Sequence, residues 1–151
     1  MSERLRRYVA QHGLMVEFVV LRPEQARTSE SAATAVGCEL SQIAKSIVLK
    51  GSRTYLVVLA GDKRIDLKKF TRMVNEPVHL AKPEEVLEET GYPVGSVPPF
   101  GHIKQIRTYV DKSILNHSVV YASGGDDSSL IKINANDLVH HLRNNIVDVS
   151  K

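Results

Sequence analysis

The stretch Ala44-Lys45-Ser46-Ile47-Val48-Leu49-Lys50-Gly51-Ser52-Arg53-Thr54-Tyr55-Leu56-Val57-Val58-Leu59-Ala60 decides the fold. Two apolar runs flank Gly51-Ser52, a pair suited to a tight turn. The pattern predicts a β-hairpin with strands over 44–50 and 54–60, the clearest in the sequence.

Working outward from this hairpin, the segments alternate in type. Towards the N-terminus, Thr28 is placed to cap a helix reaching Val36, with Gly37 where a left-handed residue ends it. Before that, residues 14–21 read as a strand ended by Arg22-Pro23. Leu5, Tyr8, Val9 and His12 recur at helical spacing ahead of Gly13, so residues 2–12 read as an amphipathic helix. A short turn is expected around residues 40–43. Beyond the hairpin, Gly61-Asp62 breaks the chain, and Leu67, Phe70 and Val74 indicate a short helix starting from Asp66. Lys82-Pro83-Glu84-Glu85 opens another helix, with Pro in its first turn and acids near the positive end of the dipole; Thr90-Gly91 closes it. Strands are expected over 106–110, 119–122 and 130–133, and Asn134 caps a last helix over 135–143. Strands dispersed among short helices, with no repeat or linker, indicate a single α+β domain, residues 1–151, around a mixed sheet.

Composition narrows the function classes. The chain has 151 residues, enough for a real core without disulfides or metals. No apolar run approaches the ~20 residues of a membrane span. The charged start Met1-Ser2-Glu3-Arg4-Leu5-Arg6-Arg7 has no apolar stretch after it, so no signal peptide is expected, and the location is read as cytoplasmic. The single cysteine, Cys38, reads as a buried, inert thiol. Adjacent His140-His141 diverge on a helix and make a poor metal pair, and no spacing suggests zinc, so neither metal nor cofactor is expected. A net charge of +3 permits an acidic partner such as RNA without demonstrating one.

Three features exceed what packing requires. Thr90-Gly91-Tyr92-Pro93-Val94-Gly95-Ser96-Val97-Pro98-Pro99-Phe100-Gly101-His102 holds three Gly and three Pro in thirteen residues. Such a composition describes a rigid, shaped loop with exposed backbone groups, whereas a mere connector needs one or two such residues. Lys45, at the mouth of an apolar strand, is a fixed cation for a phosphate or an ester carbonyl; the competing reading is an edge lysine pointing to water. Ser123-Gly124-Gly125 follows a strand, where paired glycines present amides to an anion or simply make a turn. No G-x-S-x-G elbow, Walker loop or G-x-G-x-x-G is present. A hydrolase of this kind would use positioned water, backbone donors and substrate groups rather than a covalent enzyme intermediate.

Together these residues resemble the YbaK-type editing domain, the family that includes the insertion domain of bacterial prolyl-tRNA synthetases and free-standing relatives. The matching pieces are Ile43-Ala44-Lys45-Ser46, Gly61-Asp62, Asp66-Leu67-Lys68-Lys69, Thr90 to Gly95, Pro99-Phe100-Gly101, Asp111 and Tyr121-Ala122-Ser123-Gly124-Gly125. They occur in the family's order across residues 28–140. The resemblance implies an α+β fold and deacylation of mischarged tRNA, typically tRNA(Pro) bearing a smaller residue such as alanine or cysteine. It makes Lys45 the residue tied to activity, places Gly95, Pro99 and Gly101 beside the aminoacyl pocket, and puts Ser123, Gly124 and Gly125 at the terminal adenosine or the ester. Ser96, Phe100 and His102 depart from some relatives, where a Gly, a Leu and a Gln stand. Phe100 is read as shrinking the pocket, and His102 as either an acid–base group or a loop hydrogen bond.

The partner implied is the tRNA acceptor end, with prolyl-tRNA synthetase as a further one; neither membrane nor DNA is expected. With no synthetase catalytic or anticodon-binding segment in view, editing is expected in trans. Two rival readings remain open: a non-catalytic module that binds a tRNA end or a synthetase, and a small-ester hydrolase acting without tRNA.

Overall fold

The computed structural model describes residues 2–151. In chain order the elements are α1 (Glu3–His12), β1 (Val16–Val20), α2 (Pro23–Ala26), α3 (Ser29–Val36), β2 (Ile43–Lys50), β3 (Thr54–Ala60), α4 (Leu67–Val74), β4 (His79–Leu80), α5 (Pro83–Thr90), β5 (Arg107–Asp111), β6 (Val119–Ser123), β7 (Ser129–Asn134), α6 (Ala135–His141) and β8 (Ile146–Val147). Single 3₁₀ turns cover Leu40–Gln42 and Lys112–Asn116.

The hairpin stands at the centre of one mixed sheet. Its register runs from Ala44 opposite Ala60 to Lys50 opposite Thr54. β3 pairs in parallel with β5, which pairs in parallel with β8, while the other side runs from β2 through β6 and β7 to β1. The α+β class with a mixed sheet is therefore the observed one.

The helix boundaries follow from their caps. Thr28 Oγ1 accepts the Ser31 amide hydrogen at 3.0 Å, and Gly37 ends α3 at φ +72°. Asp66 Oδ1 accepts from the amides of Lys68 and Lys69 at 3.1 and 3.2 Å and so starts α4. α6 ends earlier than expected, because Arg143 and Asn144 both adopt positive φ and turn the chain back. Four short elements escaped the sequence reading: α2, β4, β8 and the turn over Lys112–Asn116. Each has five residues or fewer, too short for an apolar periodicity to register.

Side chains alternate across β2, and the two faces bury different material. Ala44 and Val48 join Leu56, Val58, Val97, Phe100 and Leu138 in the larger core, beneath α1, α5 and α6. Leu49 lies on the opposite face with Tyr55, Val57, Leu59 and Phe70 under α4, and Ile43 packs there with Ala32 and Ala33 of α3. Lys45 belongs to this second face, between the α3 and α4 clusters. Cys38 is half-buried, and burial pushes its thiol pKa up, which keeps it protonated.

Candidate functional site

β2 shares one edge between two partners. Its start pairs in parallel with β6, at Ile43 opposite Tyr121 and Ala44 opposite Ala122. Its end pairs with β4, at Leu49 opposite Leu80 and Lys50 opposite His79. Between these, Lys45, Ser46, Ile47 and Val48 have no strand partner on that edge among the described residues, though the Val48 carbonyl accepts the Ala81 amide hydrogen at 3.0 Å. The positions that would come next in register, Lys45 and Ser123, therefore sit where the strands part. Beside this opening, the Ser46 hydroxyl is buried with no hydrogen-bond partner among the described residues.

Lys45 lines a cleft of about 680 Å³ together with Ile47, Arg64, Ile65, Asp66, Leu67, Lys68, Leu80 and Lys151. Its ammonium donates a long hydrogen bond to the Gly61 carbonyl at 3.4 Å and has no salt bridge among the described residues. Burial pushes its pKa below the ordinary lysine value; Glu30 opposes this, Arg64 adds to it, and Asp62 opposes it. A half-buried cation with one weak neutral partner exerts a stronger field on an incoming anion than a fully hydrated lysine does. The water-facing edge lysine is thus not what the fold makes of this residue.

The residues expected at the glycine-rich loops lie elsewhere and are largely satisfied by one another. Ser123 Oγ donates to the Ser96 carbonyl at 2.8 Å and accepts the Gly125 amide hydrogen at 3.0 Å. The Gly124 amide donates to the Ser129 carbonyl at 3.0 Å. Both glycine amides are therefore engaged inside the turn. Gly95 is exposed at φ +87°, next to a turn in which the Ser96 amide donates to the Pro93 carbonyl. Ser96 and Pro99 are buried.

The end of that loop packs against α1 and α6 rather than into the cleft. Phe100 is only 2% exposed and stacks on Tyr8 at 5.4 Å, with the His141 ring edge-on at 5.3 Å. Gly101 sits at φ +78°, where an added Cβ would lie 3.2 Å from Leu5 Cδ1, and its carbonyl accepts from the Tyr92 hydroxyl at 2.7 Å. His102 Nε2 donates to the Pro98 carbonyl at 2.7 Å, and burial pushes its pKa down, so its ring is neutral and ties the loop to itself. No residue of 95–102 or 123–125 lines the Lys45 cleft; Ser123, where the strands part, is the link between the loops and the lysine.

Sequence reasoning gave no role to Arg64, Lys68, Leu80 or Lys151, which complete the cleft. Lys68 lies inside the Asp66-Leu67-Lys68-Lys69 piece and was detectable there, whereas Arg64 falls between that piece and Gly61-Asp62. Lys151 carries no local signal, since tertiary pairing alone brings it in. Among the described residues, no group of three or more His, Cys, Asp or Glu side chains is arranged to hold a metal ion. No helix is long and apolar enough to cross a membrane.

Comparison with known proteins bears on the chain as a whole. The aminoacyl-tRNA editing domain family matches residues 23–140. The uncharacterized protein YwhH of Bacillus subtilis is 36% identical over 113 residues, covering 74% of this chain and 72% of that protein. EbsC of Enterococcus faecalis, a candidate Cys-tRNA(Pro)/Cys-tRNA(Cys) deacylase, is 29% identical over 131 residues, 84% of this chain and 80% of its own. The proline–tRNA ligase of Thermosipho melanesiensis is 31% identical over 112 residues, 73% of this chain but 20% of that enzyme. The crystal structure of a candidate trans-editing enzyme for prolyl tRNA synthetase superposes with a TM-score of 0.89 at 34% identity, covering 100% of this chain and 99% of that one. A central strand lysine at a split in a mixed sheet, on a chain matched by this family over most of its length, leads to one conclusion: the chain belongs to the aminoacyl-tRNA editing domain family.

Proposed function

We propose that this protein is a trans-editing ester hydrolase that removes a small amino acid, alanine or cysteine, from wrongly charged tRNA(Pro). Family membership makes it an aminoacyl-tRNA deacylase acting on tRNA; the amino acid, the tRNA identity and any working association with prolyl-tRNA synthetase are the proposal. The names carried by EbsC and by the trans-editing structure support this choice, and both are matched over most of their own length.

One observation carries the reading: Lys45, with one long hydrogen bond to the Gly61 carbonyl and no salt bridge among the described residues, lies half-buried in a cleft at the parting of β2 and β6. An aminoacyl ester on a terminal ribose brings a phosphate nearby and a carbonyl that becomes negative when attacked. Lys45 anchors the 3′-terminal nucleotide and stabilises that developing charge. Water adds to the carbonyl carbon; the tetrahedral intermediate then expels the ribose oxygen, which takes up the proton the water loses, releasing the free amino acid and the uncharged tRNA. The apolar side chains of Ile47, Ile65, Leu67 and Leu80 limit water around the ester. Discrimination by size alone is modest, since one methylene is worth about 1–3 kcal/mol.

The test is a panel of alanyl-, cysteinyl-, seryl- and prolyl-tRNA(Pro) with the matching free amino-acid esters, each with wild type and Lys45→Ala. Hydrolysis of alanyl- or cysteinyl-tRNA(Pro) but not prolyl-tRNA(Pro), lost in Lys45→Ala, is the expected result. Turnover of free esters only would favour a small-ester hydrolase, and no turnover at all would favour a binding module. Full activity in Lys45→Ala would overturn the role given to that lysine.

A further inference from the structure

The segment from Gly61 to Lys69 carries cations that the ester chemistry leaves without a task. Arg64 and Lys68 are exposed on the wall of the Lys45 cleft, and Lys151 joins them from the far end of the chain. The placement of Lys151 is built in. Arg64 and Lys151 exchange backbone hydrogen bonds at 3.2 and 2.8 Å, Ile65 and Ser150 form an antiparallel bridge, and the Asp66 amide donates to the Val149 carbonyl at 2.7 Å. The fully buried Asp111 carboxylate accepts the Val149 amide hydrogen at 2.9 Å, and Lys69 Nζ donates to the Ser150 carbonyl at 3.1 Å.

Two of the acids nearby, Asp148 and Asp66, are already engaged, while the charges of Glu30 and Asp62 bear on Lys45. Asp148 pairs with Lys69 and Lys112, both at 3.2 Å. Asp66, the one acid on the cleft wall, caps α4; its pKa is lowered by the Lys69 amide first and by the charge of Lys151 among the lesser causes. Lys50, Lys69, Lys104, Lys112 and Lys132 are ion-paired, whereas Arg64, Lys68 and Lys151 have no salt bridge within 4.0 Å among the described residues. Cations without salt bridges and apolar side chains lining the same cleft match one chemistry: phosphates at the former, sugar or base faces at the latter.

We propose that Arg64, Lys68 and Lys151 form a phosphate cradle for the single-stranded 3′ end of the tRNA, holding the backbone upstream of the nucleotide whose ester lies at Lys45. This rests on the editing reading and extends it, since it gives the enzyme a hold on tRNA that a free ester lacks. The three side chains act as positioning groups and take no part in bond breaking.

The test compares wild type, the triple variant Arg64→Gln/Lys68→Gln/Lys151→Gln, and Arg143→Gln as an exposed control cation. Binding of a fluorescent single-stranded RNA ending in CCA is measured by anisotropy across a range of NaCl concentrations, alongside steady-state deacylation of mischarged tRNA. The triple variant should bind more weakly by on the order of tenfold. The slope of log affinity against log salt should shrink by about 0.7 per cation removed. KM should rise while kcat holds, and Arg143→Gln should match wild type. Unchanged affinity and salt slope in the triple variant would overturn the cradle, as would an equal loss in Arg143→Gln, which marks diffuse attraction. If wild type deacylates no mischarged tRNA, the editing reading fails on its own, and the binding comparison still decides the cradle.

Discussion

The glycine- and proline-rich loop over 90–102 and the cleft around Lys45 differ in how their polar groups are used. In the loop and the adjoining turn they are spent on each other: Ser123 on Ser96 and Gly125, Tyr92 on Gly101, His102 on Pro98. In the cleft, Lys45 has one long hydrogen bond, and Arg64, Lys68 and Lys151 have no salt bridge among the described residues. A conspicuous composition marks a shape that is hard to build. Reactive capacity lies where a charged group is held in place without a partner to neutralise it.

Substitutions break this contrast in opposite ways. The largest expected effect is on the loop side: Phe100→Ala, which empties a site between Tyr8 and His141, should lower unfolding stability by about 3–5 kcal/mol in denaturant titrations. Activity per folded molecule should survive if the ring serves the core alone. On the cleft side, Lys45→Ala should cost on the order of 10²–10³ in single-turnover deacylation while leaving the denaturation midpoint almost unmoved. Loss of stability and not of rate would reverse the assignment of the two regions.

Smaller effects sharpen the same division. Gly101→Ala introduces a side chain at φ +78° against Leu5 and Tyr8, and should destabilise by about 1–3 kcal/mol as read by thermal melting. One part of the pH dependence follows from His102, whose pKa burial lowers in the folded state, and burial lowers that of His141 in the same direction. The unfolded chain then holds the His102 proton more readily, so stability is lost as pH falls below the unfolded value of about 6.5 towards the lower folded one, by at most about 1.4 kcal/mol per pH unit. His102→Asn should flatten that part of the stability–pH curve, while Lys45→Ala should leave it unaltered.

Much of the fold was legible because local chemistry wrote it. Thr28, Asp66 and Asn134 cap the helices they were expected to cap, and the hairpin forms in the expected register between Ala44–Lys50 and Thr54–Ala60. β4, β8 and α2 were not legible, because segments of two to four residues bury too little to impose a pattern. The site was legible in part. Lys45 stood out as a charge inside an apolar run, and Lys68 lay within a motif already noticed, but Arg64 carried no such signal. The inward turn of Phe100 was not readable, since an aromatic side chain in a loop carries no sign of which wall it will meet.

The sequence by itself determined the longer elements and their order, the central hairpin, and the residue types available for ester chemistry, because caps, turns and apolar spacing act over a few residues. Only the tertiary structure decided that β2 parts from β6 at Lys45, that Asp111 and Lys69 draw Lys151 into the cleft, and that the glycine amides at 124–125 are already engaged. Those outcomes depend on contacts between residues tens of positions apart. The chain pays for such contacts in loop-closure entropy, and no local pattern records them.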